Sequence, residues 1–333
     1  MAAPLAPLRA GTTAFPLVNE LSALVIIGLA GVVGYMLFPD DLAFLTRMIS
    51  IVLLVLSLDL VTGYCGVATL GHAALFGISA YAVGNACLAG IADPLALLGV
   101  GAVAGALSGA VSGALIARFR GLPQLVLSIA IGQLVGALAN KLSSVTGGTD
   151  GLSGISPGRL FGTLSFDMYS RTGYRFSLVV LAVVMCCLLR FVRSPFGLMC
   201  RAIKDDALRA RMIGALIYPR LVIMYAVSGA VAGLGGALMA INTGVVGLDS
   251  VSFERSAEVL VMLVLGGAGS LWGALAGAVV FQIFEHVVST ENPFHWMTLV
   301  GLLLIAIVVF APRGLGNELR ARWETFRAGR RSA

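Results

Sequence analysis

Apolar stretches long enough to cross a bilayer recur along this chain, and no other feature limits its fold so strongly. Crossing about 30 Å of hydrocarbon at about 1.5 Å per helical residue takes about 20 residues. Candidate blocks lie at 21–38, 44–61, 68–89, 94–117, 122–141, 176–192, 219–241, 256–268, 271–288 and 296–311. The expected fold is an all-α integral membrane protein with about ten transmembrane helices, eight at the fewest, since a helix satisfies its own backbone in lipid. Block 256–268 is short and carries Glu258 near its start, so a broken or re-entrant helix is the alternative there. Charged residues make up 11% of the chain and hydrophobic ones 59%, whereas soluble domains are about a quarter charged. A water-soluble fold is excluded.

The net charge of +6 comes almost entirely from arginine, Lys141 and Lys204 being the only lysines. Three basic clusters flank apolar blocks: Arg118 with Arg120, the run from Arg190 to Arg220, and the tail from Arg313 to Arg331. Placing all three inside the cell fits ten crossings with both termini cytoplasmic. Residues 1–20 then form an inner N-terminal segment, 21–312 the transmembrane domain and 313–333 a basic inner tail. The turn Pro39-Asp40-Asp41 and the loop 142–175 fall outside, against a weak opposing bias from Arg159, Arg171 and Arg175. The run 21–38 is too long for the core of a signal peptide, so a retained helix is expected. The cysteines Cys65, Cys87, Cys186, Cys187 and Cys200 have no CxxC or Cys/His metal spacing and read as small buried hydrophobes.

Many of the 42 glycines lie within apolar runs, as at Gly99, Gly101, Gly105, Gly109 and Gly113. Small residues four apart let helices approach closely in lipid. Glycine-rich breaks at 62–66, 147–151 and 266–270 are different, because unwound backbone at membrane depth survives only where protein or a polar cavity satisfies it. Gly66 to Gly77 and Gly267 to Gly277 also look alike, which marks a candidate internal repeat against chance matching of Gly/Ala-rich sequence.

Asp59, His72, Glu285 and His286 are ionisable groups in apolar blocks and need a reason to be there. Each falls near a helix end, where capping or reaching water explains it; a proton or ion path is the alternative. No GxSxG, HExxH or metal-ligand cluster occurs, and neither lysine follows a glycine, as a P-loop requires. The chain is not expected to be an enzyme or to bind a metal or cofactor. The stretch from Arg193 to Gly214 reads as a Pro/Gly turn, a short charged amphipathic helix and a glycine stop. It suits docking on another protein, the alternatives being a solvated loop or a lipid-headgroup contact.

Four blocks carry a family likeness: LVTGYCGVATLGHAALFGISAYA from Leu60, SSVTGGTDGLSGI from Ser143, RSPFGLMCRAIKDDALRARMIGA from Arg193 and SFERSAEVLVMLVLGGAGSLWGALAGA from Ser252. FAPRGL from Phe310 adds a fifth. In these the chain resembles the membrane permeases of branched-chain amino acid ABC transporters, of the LivM type within the LivH/LivM family. The resemblance implies ABC importer permease architecture in a bacterial inner membrane. It implies a path shared with a second permease, two cytoplasmic ATPases that bind ATP and Mg, and a periplasmic solute-binding protein. It assigns residues 193–219 to the ATPase-coupling loop, with Arg201, Ala202, Ile203, Lys204, Asp205, Asp206 and Gly214 on it. Arg209 and Arg211 stand where the family pattern has small and acidic residues, and Pro219 follows, changes suited to retuning partner choice. Gly63, Gly66, Gly71, His72, Gly147, Gly148, Thr149, Asp150, Gly266 and Gly267 match the family blocks and are candidates for the translocation path. Expected substrates are leucine, isoleucine, valine or a related neutral amino acid, with urea, short amides or another small acid as alternatives. A stand-alone ion-coupled transporter is the second reading, and a membrane scaffold or enzyme the third.

Overall fold

The computed structural model describes residues 16–37, 41–158 and 171–291, with the single positions Thr298 and Gly301. The block 296–311 apart from those two positions, the FAPRGL motif, Arg159, His295, the basic tail and the first fifteen residues lie outside the described residues. In chain order the helices are α1 (Pro16–Leu37), α2 (Leu42–Leu58), α3 (His72–Leu88), α4 (Pro94–Ile116), α5 (Leu122–Lys141), the single turn α6 (Ser143–Thr146) and α7 (Arg171–Arg193). There follow α8 (Pro195–Asp205), α9 (Ala207–Met212), α10 (Ile217–Thr243), α11 (Phe253–Gly266) and α12 (Leu271–Glu291). α2 continues as a π-helix over Asp59–Tyr64. Two short strands, β1 (Leu152–Ser153) and β2 (Val245–Val246), pair antiparallel and tie the loop after α5 to the loop after α10.

The chain is a helical membrane protein. Among the described residues, six helical stretches are long and apolar enough to cross a membrane: Leu42–Tyr64, Pro94–Ile116, Leu122–Lys141, Arg171–Arg193, Ile217–Thr243 and Leu271–Thr290. Others in the expected set of ten are shorter. α1 contributes an apolar stretch over Leu24–Leu37, and the helix begins at Pro16, inside the segment expected to precede it. α3 starts at His72 rather than 68, because Gly66 to Gly71 form a non-helical link. α11 has 14 residues, a rise of about 21 Å at about 1.5 Å per residue, short of the about 30 Å of hydrocarbon.

α2 is the central helix, with 83% of its spanning window buried inside the chain against 17% for α5. α5 is therefore peripheral, and Val126, Leu134 and Leu138 on it are exposed. The tightest helix pair is α4 on α10, built from the small residues the sequence spaces four apart. A methyl group on Gly105 would overlap the Gly229 carbonyl, one on Gly109 the Tyr225 carbonyl, and one on Gly101 would lie 2.7 Å from the Ala237 Cβ. Gly99, off this seam, faces open space. With no water to expel, such close backbone approach supplies the van der Waals contact that holds helices together in lipid.

Five cysteines divide by environment. Cys65 and Cys200 are buried as expected, whereas Cys87 and Cys186 are partly buried and Cys187 is exposed, since α7 turns it to the outer surface of the bundle.

Candidate functional site: where the helix breaks meet the α8 segment

The segment between α7 and α10 folds into two helices where one is expected. Ser194 caps α8 by accepting from the Gly197 amide, with Pro195 in the first turn. Asp206 then leaves helical geometry and caps α9, its Oδ1 accepting from the amides of Leu208 at 2.9 Å and Arg209 at 3.1 Å. That second cap splits the helix. Gly214, at φ +86°, ends α9: its amide reaches the Arg211 carbonyl, and the Ala215 amide reaches that of Ala210, the paired bonds of a left-handed helix stop. Arg209 is paired with Asp206 at 2.9 Å, yet its side chain is 86% exposed, so the pair contributes little stability.

One face of α8 lies on the end of α2. Cys200 packs against Cys65, and Ile203 is buried. The Arg201 guanidinium sits 4.6 Å above the ring centre of buried Tyr64. Lys204 has an exposed stem, but its Nζ donates to the Gly63 carbonyl at 2.6 Å. Among the residues assigned to the coupling loop, Arg201 and Lys204 thus turn toward the transmembrane core, and Ala202 is half-buried. Asp205 is exposed, and Asp206 and Gly214 shape the turn.

Two chain breaks meet beneath α8. Asp59, the first residue of the π-helix, is fully buried, and its Oδ1 accepts from the Gly269 amide at 2.6 Å. Gly269 and Gly267 both hold positive φ, +91° and +96°, in the link between α11 and α12. A side chain on Gly63 would collide with the Asp59 carboxylate and the Gly269 amide together. Asp59 therefore caps a break 210 positions away in sequence. Gly266 serves a different purpose: with Gly273 and Gly277 it brings α11 and α12 into backbone contact.

The end of the link Gly66 to Gly71 and the first residues of α3 are held by hydroxyls from three other helices. The Leu70 amide donates to Ser128 Oγ of α5 at 3.1 Å. The Ala73 amide donates to Ser256 Oγ of α11 at 3.1 Å. His72 Nε2 lies 2.7 Å from Ser228 Oγ of α10, whose proton goes to the Ser57 carbonyl at 2.6 Å. Ser228 must then accept from His72, which places the ring proton on Nε2. Thr62 Oγ1 also donates to the Val67 carbonyl at 3.0 Å. Both look-alike segments, Gly66 to Gly77 and Gly267 to Gly277, form a non-helical glycine link running into a helix.

The candidate path residues fall into two groups. Gly63, Gly66, Gly71, His72, Gly266 and Gly267 gather around these breaks. Gly147, Gly148, Thr149 and Asp150 follow α5 at its far end, where Gly147 and Gly148 hold positive φ and Thr149 and Asp150 are exposed. Gly71 packs against Gly132 in the middle of α5, so the rest of that helix, to Lys141, separates it from the second group by about 14 Å at about 1.5 Å per residue. Asp59, His72, Glu285 and His286 likewise do not form one file. His286 stacks on Phe44 at 4.1 Å and approaches Asp41 at 3.9 Å, beside a cavity of about 510 Å³ lined by Arg47, Asn242 and Thr243. A smaller cavity of about 220 Å³ lies by Lys204, Gly66 and Gln124. Sequence reading missed Ser128, Ser228 and Ser256, whose only signal is a lone hydroxyl in an apolar block, and Gly269 as the partner of Asp59.

Residues 42–309 match the family described as branched-chain amino acid transport system, permease component. The LivM permease protein of the high-affinity branched-chain amino acid transport system of Salmonella typhimurium is 27% identical over 327 residues, covering 89% of this chain and 74% of that protein. The fructose import permease protein FrcC of Rhizobium meliloti is 28% identical over 140 residues, 39% of each chain. The LivH permease protein of Escherichia coli K12 is 27% identical over 139 residues, 41% of this chain and 45% of that one. No solved structure matches. With four-fifths of its length inside the family match, the chain belongs to the permease component family of branched-chain amino acid transport systems.

Proposed function

We propose that this chain is the permease subunit of an ATP-driven importer for branched-chain or related neutral amino acids. It sits in a bacterial inner membrane with the α8 end cytoplasmic, and both termini lie on that side. A second permease completes the translocation path, two ATPases bind beneath α8 and α9, and a periplasmic binding protein delivers the solute. ATP and Mg are held by the ATPases, and this chain carries out no catalysis.

The observation that carries the reading is α8 itself: a short helix outside the bundle whose inner face is fastened to the end of α2 and whose other face exposes Leu198 and Asp205. Arg118, Arg120 and Arg211 line one cleft beside it, which supports a cytoplasmic placement by the charge bias of inner loops. Gln133 stands exposed in the middle of α5. A polar side chain at that depth is costly in lipid, which supports a second permease or the path itself against α5. The substrate rests on the LivM likeness, and the shorter match to a fructose permease marks urea, amides or other small solutes as the competing choices.

The test is uptake of radiolabelled leucine by vesicles holding this chain, its second permease and their ATPases, with the binding protein outside. Uptake is expected only with ATP inside. Uptake that persists without ATP overturns the importer reading. ATP hydrolysis stimulated by the loaded binding protein without leucine uptake overturns only the substrate.

A further inference from the structure

Lys204, like Arg201, is a coupling-segment residue whose charge points away from a docking partner. Its ammonium turns inward and donates to the carbonyl of Gly63, within the same π-helix whose first residue is Asp59. Asp59 in turn holds the Gly269 amide. Its second oxygen, Oδ2, is buried and has no hydrogen-bond partner among the described residues. Lys204 and Arg201 both stand on α8, and the Lys204 Nζ lies at the contact between Gly63 and Gly269 that Asp59 caps. A buried carboxylate is tolerated only where polar or cationic groups satisfy it. The surroundings of Asp59 therefore depend on α8 staying where it is.

We propose that Lys204 and Asp59 are positioning residues that transmit the movement of α8 to both helix breaks at once, as a latch of Lys204, the Gly63 carbonyl, Asp59 and the Gly269 amide. This rests on the reading of α8 as the ATPase-docking helix and deepens it. Withdrawing α8 removes the donor from the Gly63 carbonyl and the ammonium from the surroundings of Asp59 in the same motion. The contact between Gly63 and Gly269, with no side chain between them, has no other filler. Either α8 is seated and the two breaks are clamped together, or it is unseated and both are released. Such an element has two arrangements, which coupling between distant sites requires. Exposed Leu198 and Asp205 on the opposite face remain to meet the ATPase.

The experiment uses the full complex of both permeases and both ATPases in lipid nanodiscs. Amide hydrogen exchange is followed by mass spectrometry on peptides covering 59–70 and 266–273, with and without trapping by ATP and vanadate. Retention of the ATPases on co-purification is measured in parallel. In the wild type, trapping is expected to change exchange in both peptides together. In K204M the ATPases are expected to stay bound while the nucleotide-dependent change is lost in both peptides, and K204R is expected to restore part of it. D59N keeps an oxygen for the Gly269 amide but removes the charge, so D59N/K204M is expected to lose no more than K204M, as members of one unit do. A wild-type nucleotide response in K204M overturns the latch. So does loss of ATPase binding confined to K204M, which makes Lys204 a docking residue. Failure of the wild-type chain to retain any ATPase overturns the importer reading along with the latch.

Discussion

Replacing Gly105 by alanine adds one methyl group to the seam where α4 and α10 touch. Built on the existing backbone, that carbon would lie 2.9 Å from the Gly233 Cα and 2.9 Å from Ser79 Oγ, and closer still to the Gly229 carbonyl. Carbon atoms rest at about 3.5 to 4.0 Å, so the Gly233 contact alone requires the helices to part by about 0.6 to 1.1 Å, and the closer Gly229 carbonyl requires more. The neighbours that must yield are mostly backbone atoms on a helix that packs on both α2 and α3, and backbone cannot swing aside as a side chain can. Overpacking of this kind costs about 1–3 kcal/mol, and the rigid neighbours place G105A toward the upper end. Gly99 lies six residues earlier on the same helix, with nothing within 4 Å of the added methyl, and there alanine should gain up to about 1 kcal/mol of helix propensity. Equilibrium unfolding of the purified chain in mixed micelles of increasing denaturing-detergent fraction measures both. A G105A midpoint equal to or above that of G99A would refute the close-packing account of the glycine spacing.

Three further outcomes are expected. S228A should destabilise the fold by about 1–3 kcal/mol, because it orphans a buried His72 ring N–H and removes the hydroxyl bond to the Ser57 carbonyl; unfolding of S228A beside S228T, which keeps the hydroxyl, checks this. D206A should remove the cap of α9, worth about 1 kcal/mol, and raise protease cleavage within 193–219 while the unfolding midpoint of the bundle stays unchanged. A thiol reagent applied to the folded protein in detergent should label Cys187 and spare Cys65 and Cys200 until the chain is unfolded; labelling of Cys200 at the rate of Cys187 would show that α8 does not stay seated on α2.

Helices whose ends carry their own punctuation were legible in the sequence. α5 occupies 122–141 as expected, after the Gly121 turn, and α4 ends within a residue of its expected limit. At its start Asp93 caps the helix by accepting from the Leu95 amide at 3.0 Å, just ahead of Pro94. The breaks were legible as glycine clusters but not as geometry. Leu70 keeps the hydropathy high at the end of the link after α2, so the expected block 68–89 begins four residues before α3 does, where the backbone is still unwound. Capping by Asp59 was foreseen in kind, but the group it caps lies in another helix pair, and no local pattern announces a partner at that separation. Asp206 was hidden for the opposite reason: in a charged amphipathic segment one more carboxylate looks like surface, until its torsions of φ −155° and ψ 101° show it ending one helix and starting the next. The inward aim of Lys204 follows from helical phase relative to α2, which no single-chain pattern supplies.

The three serines that hold the link after α2 also limit how the bundle can deform. Ser128, Ser228 and Ser256 belong to helices that are far apart in sequence, yet each fixes an atom within four consecutive residues, Leu70 to Ala73. In hydrocarbon no water stands ready to replace a bond that slips. Gradual sliding of any one of the three helices against the others therefore meets a step at the first lost bond. The region behaves like a keystone with detents, and any rearrangement has to carry the keystone and its three supports as one block or jump between discrete settings.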